Sequence, residues 1–321
     1  MIRGSIAILS PSSEEHRVAA NTRSTSSSSP ITQEEPMPRS DTHGTCKLTK
    51  QPGRFVDSHL IPEALTRPSA KGAPLYQYGE GRRPIRRWSS WYDPKLVTLE
   101  GEKYLSDLDA WAIDGLREHR LVWSGWGPKS SLNGSHIPIV GSLGIRQVSG
   151  LDPKRLRLFF LSLLWRAAAT ELEEFSEISM SDEELEHLRQ LIVSGDPGDI
   201  SFYPCQLTQL STKGTIHNHA PVRDIKLFPG DGLLTPSSLP LPTFRFYFDG
   251  LIAHMHVSLP KWSGAASLGN LIVGVADTIV LSTVSFEDSL QNLNMQSVLR
   301  DYSLDTPMEA VNRDGQPLRS T

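Results

Sequence analysis

Apolar and polar positions divide the chain into stretches of different character. After a short apolar start at Ile6-Ala7-Ile8-Leu9, residues 1–44 are rich in Ser, Thr, Pro and charge and show no helical or strand period. Such a segment buries too little apolar area to offset its ordering entropy, so it is predicted to be a disordered tail. Residues 45–127 carry a compact pattern that opens on a short apolar strand. Residues 128–150 are rich in Gly and Ser and read as a linker. From Leu156 to Phe175 apolar residues recur on more than one helical face, which predicts a buried helix started by Asp152 and Pro153. Ser181 followed by Glu184 is a capping box for a second helix ending near Gly195. Residues 201–285 alternate as short strands between Pro and Gly clusters. The run Phe244 to Phe248, then Asp249-Gly250, then Leu251 onward predicts a tight hairpin. The tail from Asp301 is polar and predicted to fray.

Composition narrows the function classes only a little. The 321 residues have a formal net charge of -4, so there is no global pull toward nucleic acid or anionic membrane. Cys46 and Cys205 are the only cysteines, which excludes a disulfide framework and points to a reducing, cytoplasmic setting. No apolar run approaches the roughly 18–20 residues of a membrane span, so no membrane partner is expected. Met37 precedes the first patterned residues and is a candidate natural start. There is no phosphate-binding Gly-x-x-x-x-Gly-Lys-Ser/Thr loop and no Gly-x-Ser-x-Gly elbow.

One local pattern points to a reaction. In Phe55-Val56-Asp57-Ser58-His59-Leu60-Ile61-Pro62 a short strand delivers an acid and, two positions later, a histidine. Strand alternation puts Asp57 and His59 on one face and Ser58 on the other. Together with Cys46-Lys47-Leu48-Thr49, this stretch resembles the broad HNH (ββα-metal) group. The closer resemblance is to bacterial proteins with a Cys-x-x-Cys, a Ser-His-Ile-Ile-Pro strand and a second Cys-x-x-Cys-Glu that opens a helix. It extends from Cys46 to Asp109. It implies that two cysteine pairs hold a zinc, that the strand histidine polarises water, and that a neighbouring acid and a helix residue hold a divalent ion.

Carried over by position, Cys46 is the first zinc ligand, while Thr49, Thr98 and Gly101 stand where the other three cysteines would be. No structural zinc is therefore expected, since a closed site needs four ligands. Five of the seven tryptophans lie between residues 88 and 126, which predicts an aromatic core of Trp88, Trp91, Tyr92, Trp111, Trp123 and Trp126 in place of the metal. The resemblance implies His59 as catalytic base. Asp57, Glu102 and Asp109 are the oxygen ligands available for Mg²⁺ or another divalent ion; Glu102 and Asp109 share a helix face. The chain would then be an HNH-type endonuclease. The alternative is a non-catalytic module, on the same degenerate scaffold, that binds nucleic acid or protein.

Arg82, Arg83, Arg86 and Arg87 precede Trp88, Trp91 and Tyr92, a grouping suited to pairing phosphates and stacking bases of DNA or RNA. Two His-x-His pairs, His217/His219 and His254/His256, would each offer two imidazoles to a metal if they lay on strands. The first pair is flanked by Gly and Pro and reads as a loop. The expected architecture is α+β: a small HNH-like ββα unit over residues 45–127, a linker over 128–150, and over 151–300 a helical pair followed by a β-rich C-terminal region, with frayed residues 301–321.

Overall fold

The computed structural model describes residues 6–9, 42–66, 75–79, 82–87, 90–214, 217–229, 238–257, 268–293, 295–296 and 300; of these, 6–9, 75–79, 82–87, 226–229 and 238–241 are described through the backbone alone. In chain order the first elements are β1 (Ile6–Leu9), β2 (His43–Thr45), β3 (Pro52–Arg54), β4 (Ser58–His59), α1 (Glu63–Thr66), β5 (Leu75–Gly79), β6 (Arg82–Arg87), β7 (Tyr92–Asp93) and α2 (Leu99–Glu118). There follow β8 (Ile137–Val140), β9 (Leu143–Val148), α3 (Pro153–Ala169), α4 (Asp182–Ser194), β10 (Cys205–Leu210), β11 (His217–Pro229), β12 (Ser238–Phe248), β13 (Leu251–His256) and β14 (Ile279–Val284).

Local chemistry sets the ends of the central helices. The Asp152 carboxylate accepts from the backbone N–H groups of Lys154 and Arg155 at 2.9 and 3.1 Å, and Pro153 occupies the first turn of α3. At the start of α4, Ser181 Oγ accepts from Glu184 N and the Glu184 carboxylate accepts from Ser181 N, while Gly195 closes the helix at φ 73°. Each such N-cap contributes about 1 kcal/mol.

Helix α3 is buried on every face, including its two inner arginines. Arg157 is accommodated because its guanidinium donates to the carbonyls of Pro197, Gly198, Asp199 and Phe202, stitching the turn after α4 onto the helix.

Most of the chain is organised by one sheet of ten strands in the order β6-β5-β1-β11-β12-β13-β10-β14-β9-β8. The contiguous seven from β11 to β8 dominate the fold, and the pairing is antiparallel except between β10 and β14. Asp249 and Gly250, at φ 50° and 82°, turn β12 into β13 where the alternation predicts a hairpin. Along β12, Phe244, Phe246 and Phe248 enter the main core, with Phe248 stacked on Phe160 of α3 at 6.1 Å. Tyr247, between them, joins a second cluster with Trp123, Trp126, Phe286 and Met295.

These findings overturn the expected division into a small ββα unit followed by a helical pair. The fold is a mixed α/β arrangement dominated by its sheet, with few helices. A single apolar core runs from Cys46 and Leu105 through Phe159 to Phe246 and Leu281, so the Cys46 region has no separate interior of its own. Within the segment expected to be a disordered tail, Ile6–Leu9 forms β1 between β5 and β11. Residues 10–41 and 301–321 lie outside the described residues. The expected linker 128–150 contains the β8–β9 hairpin, joined to the sheet through β14. Among the described residues no helix is long and apolar enough to cross a membrane.

Candidate functional site

The Cys46–Lys50 turn is held by its own backbone and by sulfur. Thr49 N donates to Cys46 Sγ at 3.3 Å, Lys50 N donates to the Cys46 carbonyl at 2.9 Å, and Lys50 adopts φ 60°. Segment 96–98 closes against it through Lys47 N to Leu96 O at 3.0 Å, and against β4's leading residues through a Phe55–Thr98 bridge. The consequence is a convergence around one sulfur. Cys46 is fully buried, a Cβ on Gly101 would lie 2.6 Å from its Sγ, and both Thr49 and Thr98 hydrogen-bond to it. Burial pushes the thiol pKa up, but the hydrogen bonds from Thr49 and Thr98 outweigh it and the net shift is down. Thr49, Thr98 and Gly101 thus surround the Cys46 sulfur, and none of them supplies a thiolate, so the set does not fit a structural zinc.

The expected aromatic replacement is not assembled there. Trp91 packs edge-on against Phe175 at 5.9 Å, Trp123 and Trp126 belong to the second cluster, and Trp111 lies under the Arg155 guanidinium at 4.6 Å. Tyr92 is exposed, and Trp88 lies outside the described residues. The hydroxyls of two threonines and the apolar wall of Val97 take the place expected for the rings.

Beyond this turn the chain continues into β4, which pairs with β7 so that Ser58 faces Asp93 and His59 faces Tyr92. Asp57 is exposed, Ser58 fully buried and His59 half-buried, the alternation a short strand dictates. Helix α2 brings Glu102 beside Ser58 and His59, with Asp109 and Arg166 in the same electrostatic neighbourhood. Ser58 Oγ lies near the Glu102 carboxylate, yet neither it nor Glu102 Oε2 has a hydrogen bond of good geometry. Arg166 of α3 reaches in from the core. Its Nη1 and Nη2 donate to the two Asp109 carboxylate oxygens at 2.9 and 2.6 Å, and Nη1 also donates to the His59 carbonyl at 3.1 Å.

This arrangement separates the four predicted site residues. His59, Glu102 and Asp109 come together. Asp57 is exposed and makes no hydrogen bond or ion pair among the described residues. Asp109 is occupied on both oxygens by Arg166, which leaves Asp57 and Glu102 as the carboxylates of the expected metal set that Arg166 does not bind. Among the described residues no three His, Cys, Asp or Glu side chains are placed to hold a metal ion.

Burial raises the Glu102 carboxyl above its ordinary value of 4.5; Asp109 adds to the rise, while Ser58, Arg166 and His59 oppose it. Because the folded value exceeds the unfolded one, the folded state holds the proton more tightly, and this group's contribution to stability is lost as pH rises from about 4.5 through the folded value. Glu102→Gln is expected to remove that decline and to leave the protein at least as stable as the parent at neutral pH. Urea midpoints measured across roughly pH 4 to 8 check it; parallel pH profiles for the two proteins contradict it.

The arginines Arg82, Arg83, Arg86 and Arg87 fall in β6, an edge strand of the sheet, and their side chains lie outside the described ones. The first histidine pair is resolved differently from expectation, while the second lies on a strand as expected. His217 and His219 lie on β11 rather than in a loop, and His254 and His256 lie on β13, with β12 between the two pairs. All but His254 are buried. His217 stacks on Tyr247 at 4.5 Å and its Nε2 meets Gln291 at 2.7 Å, while Thr243 meets His256 Nδ1 at 3.1 Å. His219 Nδ1 donates to the Ala220 carbonyl, and burial, reinforced by Arg245, pushes its pKa down to about 3.

The residue that sequence reasoning misses is Arg166. It reads as an interruption of an apolar run, and the available signal is that very fact: a cation inside an all-round apolar helix needs a buried partner. Its site rests on this geometry alone, since no family model, curated protein or solved structure matches the chain.

Proposed function

We propose that the chain is a nucleic-acid-binding module that does not hydrolyse its ligand. The observation that carries this reading is the bidentate Arg166–Asp109 pair, which occupies a carboxylate that metal-dependent hydrolysis would require. Thr49, Thr98 and Gly101 around Cys46 support the same reading, because the turn is held by hydrogen bonds to sulfur. Binding is attributed to the basic strand β6, where four arginines lie along a sheet edge and Trp88, Trp91 and Tyr92 come next in sequence. Guanidinium groups engage phosphates of any sequence, so the interaction is electrostatic and salt-sensitive.

The test is fluorescence anisotropy with labelled single- and double-stranded DNA and RNA at several salt concentrations. Arg86→Ala/Arg87→Ala is expected to weaken binding and to lower the salt slope by about two, roughly one per lost phosphate contact. Binding that ignores both salt and these arginines contradicts the proposal. A second reading, hydrolysis, is favoured by the half-buried His59 ring beside Glu102. Cleavage of plasmid with Mg²⁺ or Mn²⁺ that disappears in His59→Ala would establish it in place of the first.

A further inference from the structure

We infer that the outer face of the β4–β7 pair is a seat for one unpaired base, so that the ligand proposed above is single-stranded; the inference rests on that nucleic-acid reading. Ser58 pairs with Asp93 and His59 with Tyr92, and residues directly opposite in an antiparallel pair carry their side chains on one face. Ser58 and Asp93 are buried, so theirs is the inner face. His59 and Tyr92 therefore lie side by side on the outer one, where His59 is half-buried and Tyr92 is 41% exposed. The backbone that displays Tyr92 is fixed on both sides. Trp91 before it is buried against Phe175, and its carbonyl accepts from Leu60 N at 3.0 Å. Asp93 after it accepts from Thr170 Oγ1 at 2.7 Å and from Lys95 N at 2.8 Å. An aromatic ring with two side-chain torsions on such a backbone has little freedom left to lose when a ligand stacks on it.

The chemistry of this face selects a base over a phosphate, and a single strand over a duplex. A phenol ring beside an imidazole offers flat faces to a nucleobase, and such stacking tolerates any sequence because every base has a π-face. Two carboxyl groups flank His59: Asp57, exposed and two residues before it, and Glu102, brought beside it by α2. The cation in the same neighbourhood, Arg166, is committed to Asp109. A phosphate next to His59 would be repelled by the carboxylates, whereas a base carries no charge. In a duplex the faces of the bases are covered by their neighbours, so a protein ring stacks only on a base that has been splayed out. The sugar-phosphate backbone of the same strand is left to β6. Five residues lead from Arg87 to Tyr92, at most about 18 Å of chain, so phosphates at the arginines and a base at Tyr92 belong to one short oligonucleotide.

Fluorescence anisotropy of the full chain with labelled single strands and duplexes of equal length, over a salt series, tests the seat. The expected result is tighter binding of the single strand, weakened by about fivefold to a hundredfold in Tyr92→Ala. The salt slope should not change in that variant, because no phosphate contact is lost. Tyr92→Phe keeps the ring and should bind within about twofold of the parent. Tyr92 is exposed, so both variants should melt as the parent does. Unchanged single-strand binding in Tyr92→Ala, alongside weakened binding in Arg86→Ala/Arg87→Ala, overturns the base seat and leaves the nucleic-acid reading standing. A parent that holds the duplex as tightly as the single strand does the same. A parent that binds no nucleic acid at any salt concentration overturns both.

Discussion

Arg166→Ala is expected to cost about 3–5 kcal/mol of unfolding free energy, the largest effect of any single side chain around β4. The guanidinium is 1% exposed and binds both oxygens of Asp109, the His59 carbonyl and Ser162 Oγ. Truncation leaves a carboxylate that is only 15% exposed without its counter-charge, and a backbone acceptor without its donor. It also opens a cavity in a helix buried on all sides. The pair's attraction is largely offset by its desolvation, so removing both charges should be far milder than removing one. Arg166→Met combined with Asp109→Leu should therefore recover most of the loss. Urea denaturation followed by tryptophan fluorescence measures both, with the buried Trp165 next in sequence as a reporter. A loss below about 1 kcal/mol for Arg166→Ala would mean that the pair is peripheral and that Asp109 is free for other chemistry.

The second large effect concerns the Cys46 turn. The triple variant Thr49→Cys, Thr98→Cys, Gly101→Cys is expected to bind Zn²⁺ or Co²⁺ through four thiolates. Saturating metal at about a thousand times Kd would then raise stability by roughly 4 kcal/mol. Without metal the variant should be weaker than the parent by about 1–3 kcal/mol. The reason is steric: a Cβ at residue 101 meets Cys46 Sγ at 2.6 Å and Val97 Cβ at 3.0 Å. Zinc relieves this crowding by fixing the sulfurs about 2.3 Å from itself and hence about 3.8 Å from one another. Thiolate-to-cobalt charge-transfer absorption and metal-dependent melting are the measurements. A variant that folds yet shows no cobalt–thiolate band would mean that the four positions do not describe a tetrahedral site.

Features encoded within a few residues are legible in the sequence. Asp152-Pro153 and Ser181 with Glu184 start α3 and α4 where they should, because a cap is a contact between neighbours in the chain. Asp249-Gly250 makes its hairpin for the same reason. Strand β1 is not legible. Ile6–Leu9 is too short to declare itself, and its partners begin at Leu75 and His217, far along the chain. The β8–β9 hairpin resembles a linker because every β8 residue is exposed, so no buried face imposes an alternation. The two histidine pairs differ in their flanking residues, yet both lie on strands, because pairing with β12 is a tertiary event.

The candidate site shows the same boundary. Sequence spacing by itself determined that Asp57, Ser58 and His59 alternate in burial, and that Glu102 and Asp109 share a helix face. These are consequences of backbone periods of two and of 3.6 residues. Only the tertiary structure decided what those faces meet. It set Thr49, Thr98 and Gly101 around the Cys46 sulfur, and it carried Arg166 from α3 onto Asp109, taking both oxygens of a carboxylate that spacing alone leaves available. A buried charge must find its partner wherever packing delivers one, and packing is not a property of any local stretch of sequence.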